Sequence, residues 1–338
     1  MIASGNMAVK DDSADIVFMG NTKALRAKYI FRGGQLIWNG YRAGWDWEKQ
    51  ISAANNDLTS VCYGNGIFVA VGASGIGNRI QWSPDGENWT VCQGVADNAW
   101  QMVCYGNGIF VAVANDTPDG CVIMSTDGVN WTAQQNPINL KLSSVCYGNG
   151  LFVVTTAAGN QVLTSPDGVN WTANTCSATG ASWIYVCYGN GLYVAISLQG
   201  NIITSTNGAN WTARTDPLAS NMWSTVCYGA GLFVIGSYNG SANQYLTSPD
   251  GANWAPQQSA LGNIWWGISY AGGMFVAVGD STSYDLIKTS VDGIVWTKHT
   301  AFKSIWKSVC YGKGRFVAVG KPNFTDSPVI MTSGKLAA

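Results

Sequence analysis

Hydrophobic and polar positions along the chain follow a pattern that recurs about every forty residues. One copy, Val103–Thr132, begins with VCYGNGIFVAV and, after a variable insert, ends with CVIMSTDGVNWT. The apolar stretch Ile109–Val113 is short and β-branched, which is typical of a strand buried between neighbouring sheets. Gly106-Asn107-Gly108 and Ser125-Thr126-Asp127-Gly128 are turn sequences, because Asn and Gly tolerate positive φ and Asp accepts backbone hydrogen bonds.

The number of copies predicts a ring of seven sheets. The repeated tyrosine of the first segment is found at Tyr63, Tyr105, Tyr147, Tyr188, Tyr228, Tyr270 and Tyr311. The tryptophan of the second segment is found at Trp89, Trp131, Trp171, Trp211, Trp254 and Trp296. The seventh copy of this second segment lies upstream, around Gly44–Gln50. This offset predicts an all-β, seven-bladed β-propeller of four-stranded blades, in which an N-terminal outer strand completes the last blade and closes the ring.

The first forty residues do not share the repeat. Three short apolar segments at 16–22, 28–33 and 35–40 are separated by turn residues and predict a small β-meander. The expected organisation is a flexible N-terminal arm at 1–14, a small β-strand module at 15–42 and the propeller at 43–338.

Composition and charge remove several classes of function. Charged residues make up 11% of the chain and the net charge is −1, without a basic block, so we expect no nucleic-acid partner. No apolar run reaches the eighteen or more residues of a membrane helix, so we expect no membrane insertion.

The nine cysteines do not form an obvious disulfide framework. Six of them occupy one position of the repeat, and Ser269 takes the seventh; the six are Cys62, Cys104, Cys146, Cys187, Cys227 and Cys310. Equivalent positions on successive blades are expected to lie too far apart for a disulfide, so we expect small, buried, reduced core residues. A Cys92–Cys121 bridge stays open, and Cys176 also lies near a variable loop.

Two parts of the chain resemble known families. The stretch Ile16–Gly40, with Gly-Asn-Thr followed by Tyr-x-x-x-Gly-x-x-Leu-Ile-Trp, is similar to a short module at the ends of bacteriophage tail and virion proteins, although Asn39 stands where those modules have Pro. The repeats resemble sialidase-like and photosystem-assembly-factor-like propellers with Asp-box turns. The turn Ser165–Trp171 is one residue shorter than the usual box. In those families the box is structural and implies no activity.

The sequence favours a protein without catalytic activity. The sialidase resemblance implies a clamp of three arginines, yet of the six arginines only Arg79 and Arg214 lie in or near variable loops. Two acids would suffice for a glycosidase, and the loop candidates are Asp97, Asp116, Asp119, Asp280 and Asp285. Loop aspartates are more often turn-formers. The single His299 has no partner constellation near it in sequence. The turn aspartates recur once per blade and Asn207 replaces one of them, so we expect neither a metal site nor a cofactor.

The variable loops of the repeat indicate where binding takes place. The turns after the first and third strands of each repeat are nearly uniform. The loops after the second and fourth strands differ in every copy and emerge on one face, which is the usual layout of a binding scaffold. We expect this face to bind a ligand through Trp183, Trp223, Trp265, Asn239 and Asn243, with packing in the core as the alternative role for the tryptophans. The low charge of the loops favours a neutral glycan.

These observations lead to one expected function and two alternatives. The expected function is that of a non-enzymatic bacteriophage virion protein of the tail-fibre or tail-tip type, assembled in the host cytoplasm. It would attach to other virion proteins through residues 1–42 and bind a host surface glycan or protein with the propeller. The alternatives are a structural or decoration virion protein without a receptor, and a bacterial carbohydrate-binding or glycan-hydrolysing propeller.

Overall fold

The computed structural model describes most of the repeat region and four short segments before it. The described residues are 7–10, 16–19, 27–32, 35–39, 47–116, 121–176, 182–218, 222–238, 244–258, 264–280, 287–322 and 329–334. All the regular elements in this part of the chain are β-strands.

The N-terminal residues form a separate four-stranded antiparallel sheet. Its strands, in spatial order, are β1 (Met7–Lys10), β2 (Ile16–Met19), β3 (Ala27–Arg32) and β4 (Gln35–Asn39). The sequence predicted three of them. The first strand lies inside the segment that we expected to be a flexible arm, and Met7 pairs with Met19 at its end. A four-residue strand between polar residues has too little periodicity to be recognised.

The repeats form seven four-stranded antiparallel sheets, as predicted. We number the sheets as blades 1 to 7 in the order of their innermost strands. The innermost strands are β6 (Leu58–Gly64), β10 (Trp100–Gly106), β14 (Leu142–Gly148), β18 (Trp183–Gly189), β22 (Trp223–Gly229), β26 (Ile264–Ala271) and β30 (Ile305–Gly312). The second strands are β7 (Ile67–Gly72), β11 (Ile109–Ala114), β15 (Leu151–Thr156), β19 (Leu192–Ser197), β23 (Leu232–Ser237), β27 (Met274–Asp280) and β31 (Arg315–Lys321).

The two outer strands of each blade are shorter. The third strands are β8 (Ile80–Ser83), β12 (Val122–Ser125), β16 (Gln161–Ser165), β20 (Ile202–Ser205), β24 (Gln244–Ser248), β28 (Ile287–Ser290) and β32 (Ile330–Ser333). The outermost strands are β9 (Thr90–Val91), β13 (Thr132–Gln134), β17 (Thr172–Thr175), β21 (Thr212–Arg214), β25 (Ala255–Gln258), β29 (Thr297–His299) and β5 (Trp47–Gln50). No helix in the described part of the chain could span a membrane.

Blade 7 contains both ends of the repeat region. Its fourth strand is β5, which pairs antiparallel with β32, so that Gln50 lies opposite Ile330. The side-chain amide of Gln50 also donates a hydrogen bond of 2.8 Å to the Thr332 hydroxyl. The predicted closure of the ring is therefore confirmed.

Each Ser-x-Asp-Gly turn is held by a small set of hydrogen bonds. In blade 3, the Ser165 hydroxyl donates to Asp167 (3.0 Å) and accepts from the Gly168 N–H (2.8 Å). The Asp167 carboxylate accepts from the backbone and the side chain of Asn170, and the Trp171 indole donates to the Gly168 carbonyl. The sequence of the turn is thus explained by its internal bonding.

Close contact between innermost strands explains the Tyr-Gly pair of the repeat. A Cβ atom added to Gly106 would lie 2.1 Å from the ring of Tyr147 in the next blade. The same contact joins Gly312 of blade 7 to Tyr63 of blade 1. Glycine leaves room for the ring at this position in six blades, whereas blade 6 has Ala271 there. The contact of Gly312 with Tyr63 completes the circle.

The cysteines are reduced, as expected for the six of the repeat, but those six are less buried than expected. All nine are free, so Cys92 and Cys121 form no bridge. The six repeat cysteines are partly exposed rather than buried in the core, because the innermost strands turn them toward the central channel. It is Cys92, Cys121 and Cys176 that are buried.

Candidate functional site

A central cavity opens at the end of the ring where the variable loops emerge. Its volume is about 470 Å³, and all seven innermost strands contribute to its wall. The lining residues are Thr59, Gln101, Met102, Asn115, Ser143, Ala157, Ser182, Ile184, Tyr185, Leu198, Met222, Ser224, Tyr238, Trp266, Lys307 and Ser308. The cavity therefore lies on the face of the ring from which the variable loops emerge.

The cavity wall is made by the least uniform positions of an otherwise uniform strand. Toward its C-terminal end, each innermost strand repeats Val-Cys-Tyr-Gly with few changes. Near its start, each innermost strand has a Leu or a Trp, which we count as the first position. The residue that follows it, the second position, differs in most blades: Thr59, Gln101, Ser143, Ile184, Ser224, Trp266 and Lys307. None of these residues was predicted from the sequence to bind a ligand, although the diversity of this position is visible when the seven copies are aligned.

Small hydroxyl residues at the second position connect neighbouring blades. In blades 1, 3 and 5 the hydroxyl donates to a backbone carbonyl at the start of the next innermost strand. These bonds join Thr59 to Trp100 (2.7 Å), Ser143 to Trp183 and Ser224 to Trp265. These hydroxyls therefore hold neighbouring blades together. The groups available to a ligand at the second position come from the longer side chains of the other blades.

The third position of the innermost strand makes complementary bonds. The Ser60 hydroxyl accepts a hydrogen bond from the Val103 N–H at 3.2 Å. Equivalent bonds run from the Val186 N–H to Ser144 (3.2 Å) and from the Val61 N–H to Ser308 (3.3 Å). Backbone groups on the inward edge of several innermost strands are therefore bonded to side chains of the adjacent blade.

Lys307 and Trp266 form the most distinctive pair in the cavity. The Lys307 Nζ atom lies 3.1 Å from the centroid of the Trp266 ring, in contact with the negative face of the indole. Tyr238 packs edge-on against Trp266, with ring centroids 5.0 Å apart. Burial lowers the pKa of Lys307 to about 8, while Asp280 and Asp57 act to raise it and Lys321 to lower it.

Two polar atoms of the cavity side chains are left without a protein partner. The Asn115 Oδ1 and Trp266 Nε1 atoms are buried and accept or donate no hydrogen bond among the described residues. A buried unpaired acceptor or donor costs about 1–3 kcal/mol, so such groups are few in folded proteins, and a bound water or ion is one explanation for them. The side chains of the cavity wall thus include one unpaired acceptor, one unpaired N–H donor and one amine, and the first two are covered.

The three tryptophans predicted to bind a ligand lie behind the cavity wall. Trp183 and Trp223 are fully buried, and Trp265 is 5% exposed. The Trp223 indole donates to Asp216 at 2.8 Å, and Trp265 stacks on Tyr245 with centroids 5.6 Å apart. Because these residues fill the space between blades, their rings present no open face to a ligand, and packing in the core accounts for them. Asn239 and Asn243 lie outside the described residues.

The acids and arginines considered from the sequence are not gathered at the cavity. Arg79 forms an ion pair with Asp97 (3.7 Å), and Arg315 is paired with Glu87. The Arg214 guanidinium donates to Thr204. None of these three arginines is part of the cavity wall. His299 lies on β29, where its Nε2 atom is 2.8 Å from the Thr289 hydroxyl.

The opposite end of the channel is lined by the uniform positions of the innermost strands. A second cavity, of about 430 Å³, is lined by the Val-Cys-Tyr positions of the blades. Burial raises the pKa of the thiols there, in Cys227 to about 12, which leaves them protonated and weakly nucleophilic at neutral pH. Within the described ranges, no group of three His, Cys, Asp or Glu side chains has the arrangement of a metal site.

Comparison with known families identifies the repeat region as propeller-like. Residues 77–222, less than half of the chain, match the profile of the DUF6242 beta propeller domain. No curated protein sequence matches the chain significantly.

Solved structures share the fold at low sequence identity. A streptogramin B lyase superposes with a TM-score of 0.74 and 9% identity, covering 87% of this chain and 100% of the other. Virginiamycin B lyase from Staphylococcus aureus gives 0.73 and 10%, covering 86% and 99%. YCF48 from Cyanidioschyzon merolae gives 0.65 and 15%, covering 85% and 98%. At these identities the likeness shows the propeller fold alone.

Proposed function

We propose that this chain is a recognition protein that binds a surface glycan in the central cavity at the variable-loop end of the propeller. The observation that carries this proposal is the diversity of the cavity wall. The Val-Cys-Tyr-Gly end of the innermost strand is nearly uniform, yet the second position of the same strand changes from Gln101 to Ile184 to Trp266 to Lys307. A scaffold role for the ring requires no such variation, whereas a binding site does.

The biological setting is proposed from the N-terminal module. The segment Ile16–Gly40 resembles modules of phage tail and virion proteins, and it forms strands β2 to β4 of a sheet that is separate from the blades. We propose that residues 1–42 dock to other virion proteins and that the propeller meets the host surface. The Ser-x-Asp-Gly turns support a distant kinship with Asp-box propellers.

Blocking the cavity tests the binding role. Ala157 lines the cavity, so Ala157→Trp is expected to fill it, while Ala209→Trp on the opposite, uniform face serves as the control. On an array of bacterial surface polysaccharides, we expect the wild type and the control to bind and the Ala157 variant to lose binding. Equal binding by the two variants, or no binding by any protein, would contradict the proposal.

The virion setting has its own test. Deleting residues 1–40 is expected to leave the propeller folded and to abolish incorporation into particles, as measured by immunogold labelling of purified phage. Normal incorporation of the deletion variant would place the docking surface elsewhere. Absence of the full-length protein from particles would contradict the virion role while leaving glycan binding intact.

An enzymatic role is the second candidate, because the cavity contains an amine whose pKa lies near 8 and a lyase shares the fold. Such a lysine can act as a base at neutral pH. However, Asp97, Asp116 and Asp280 do not line the cavity, so a paired-carboxylate mechanism has no described support. We therefore expect no release of reducing ends when bound glycans are incubated with the protein.

A further inference from the structure

Lys307 places a positive charge in the wall of the cavity. It is the only charged side chain among the described residues that line the cavity. The nearby Lys321 is paired with Asp57 at 3.1 Å, whereas Lys307 forms no ion pair with a described residue. We propose that the glycan residue entering the cavity is an acidic sugar, whose carboxylate is bound by Lys307. This inference rests on the proposed binding role of the cavity.

The amine is held in position rather than free to move. Its Nζ atom rests over the Trp266 ring at 3.1 Å, and Trp266 is in turn packed against Tyr238. A cation fixed before binding loses less side-chain entropy when the ligand arrives. The carboxylate would form a charge-assisted hydrogen bond, which is about twice as strong as a neutral one.

The unpaired polar atoms require a ligand that also carries hydroxyl groups. The Trp266 Nε1–H needs an acceptor, while the Asn115 Oδ1 atom needs a donor, which an ionised carboxylate cannot provide. Sugar hydroxyls both donate and accept. Both protein atoms are covered in this structure, so each must turn by a side-chain rotation to reach the ligand. Met102, Ile184 and Met222 offer apolar surface to the carbon skeleton.

The cavity wall is less suited to a peptide carboxylate. An extended peptide binds best to a strand edge with free backbone groups. Here the inward edge is bonded to side chains at several positions, for example the Val103 N–H to Ser60 and the Trp100 carbonyl to Thr59. An acidic peptide would leave part of its backbone unpaired, which disfavours it relative to a sugar.

Matched pairs of ligands test the inference directly. We would titrate the wild-type protein with glucuronate and glucose, with galacturonate and galactose, and with oligosaccharides of each, using calorimetry or ligand-observed NMR. Acidic members are expected to bind at least about tenfold more tightly than their neutral counterparts. Lys307→Met should abolish this preference and Lys307→Arg should retain most of it. Lys141→Met, on the same face but exposed and outside the cavity wall, should change nothing.

The pH dependence provides a second readout. Burial lowers the pKa of Lys307 to about 8, and Asp280, Asp57 and Lys321 are the charged groups that act on it. Because the carboxylate binds the protonated amine, affinity for the acidic sugar should fall as pH rises through about 8. The Lys307→Met variant should show no such fall.

The outcomes separate this inference from the proposed function. If neutral sugars bind as tightly as acidic ones and Ala157→Trp removes both, the cavity is the site and the acidic-sugar inference is wrong. If no acidic sugar binds, or if binding survives Lys307→Met, the inference is also wrong. Preferential binding of an acidic peptide would replace the sugar by a protein ligand. If no ligand binds in the cavity of the wild-type protein, both proposals are wrong.

Discussion

Trp47 and Ser333 lie opposite each other in an antiparallel ladder, although nearly the whole repeat region separates them in sequence. Trp47 is 9% exposed and packs into the core of blade 7 with Met331 and Trp306. The side chain that completes the last blade therefore comes from the first strand of the propeller. This pairing makes ring closure depend on a four-residue strand.

Removing that strand is expected to destabilise the whole ring. Deleting residues 1–50 exposes the edge of β32 and the apolar surface under Trp47, whose burial alone contributes about 2–3 kcal/mol. We expect aggregation or a fall in melting temperature of about 10 °C or more, measured by calorimetry and size-exclusion chromatography.

A matched deletion isolates the effect of the strand. Deleting residues 1–42 removes the N-terminal sheet and keeps β5, so this variant should stay soluble with nearly the wild-type melting temperature. If the two deletion variants were equally stable and monomeric, closure through β5 would contribute nothing.

The ring was predictable because its determinants are local and repeated. The hairpin turns of blades 1 to 4 are encoded by Asn-Gly, and Asn107 and Gly108 have the expected positive φ values of 49° and 81°. The count of repeated Tyr and Trp residues then fixed the number of blades and the offset around Trp47. A pattern repeated seven times remains readable even where one copy departs from it, as at Ser269.

The residues that line the candidate cavity were not predicted from the sequence, although the cavity lies on the face that the variable loops indicate. Trp183 and Trp223 were chosen because exposed and buried aromatic residues look alike in sequence. Their neighbours Ile184 and Ser224 point into the cavity instead. A shift of one residue along a strand moves a side chain to the opposite face of the sheet. The strands have a β-bulge near their start, so the face of a given residue cannot be predicted from alternation in the sequence.

The hairpin turn of blade 5 contains a strained backbone conformation at Ala230, which a substitution could relieve. Ala230 has φ 49°, a conformation that Asn adopts at the same place in blades 1 to 4. We expect Ala230→Asn to stabilise the protein by about 1 kcal/mol, because the left-handed conformation costs Ala about that much. Thermal or denaturant unfolding would measure the gain.

Part of that gain is expected from a contact between blades. The Asn190 amide lies 3.5 Å from the Pro249 carbonyl, and Asn107 makes the same contact with Pro166 at 3.4 Å. Ala230→Gly relieves the backbone strain without supplying the amide. Equal stability of the Gly and Asn variants would show that the contact between blades contributes nothing.

Blade 4 lacks one hydrogen bond of the Ser-x-Asp-Gly turn. Hydrogen bonds from the backbone N–H of Asn170, from its side chain and from Val169 hold the pKa of Asp167 well below its usual range. In blade 4 the equivalent residue is Asn207, which accepts from the backbone of Ala209 and Asn210 but has no second carboxylate oxygen. We expect Asn207→Asp to raise the melting temperature at pH 7 by about 1–3 °C.

The gain from Asn207→Asp should depend on pH in a defined direction. A carboxyl group whose folded pKa is depressed stabilises the protein above its unfolded pKa, about 3.9, and loses that effect as pH falls further. The advantage over the wild type should therefore be full at pH 6–7 and shrink below pH 4. Asp167→Asn should show the opposite change over the same range. An advantage that persists undiminished at pH 2 would contradict this account.

Lys288 is a buried cation at a position that is apolar in most blades. It is 4% exposed, and its Nζ atom lies 4.4 Å from the centroid of the Trp265 ring. Burial, with a smaller contribution from Lys298, lowers the pKa of Lys288 to about 7. The equivalent residue in blade 7 is Met331, which is fully buried, so Lys288→Met fits the local volume.

We expect Lys288→Met to stabilise the protein most at low pH. Between about pH 7 and 10.4 the unfolded chain holds a proton on Lys288 that the folded chain does not, so wild-type stability rises with pH in this window. Below pH 7 the cost of burying the charge is complete. Since each pKa unit corresponds to about 1.4 kcal/mol, Lys288→Met should add about 2–4 kcal/mol to the free energy of unfolding at pH 6, and this gain should largely vanish by pH 10.

The control is Lys141→Met at an exposed position, which should change the free energy of unfolding at neither pH. Denaturant unfolding at several pH values measures the difference, and a gain that is the same at pH 6 and pH 10 would show that Lys288 keeps its charge in the folded protein.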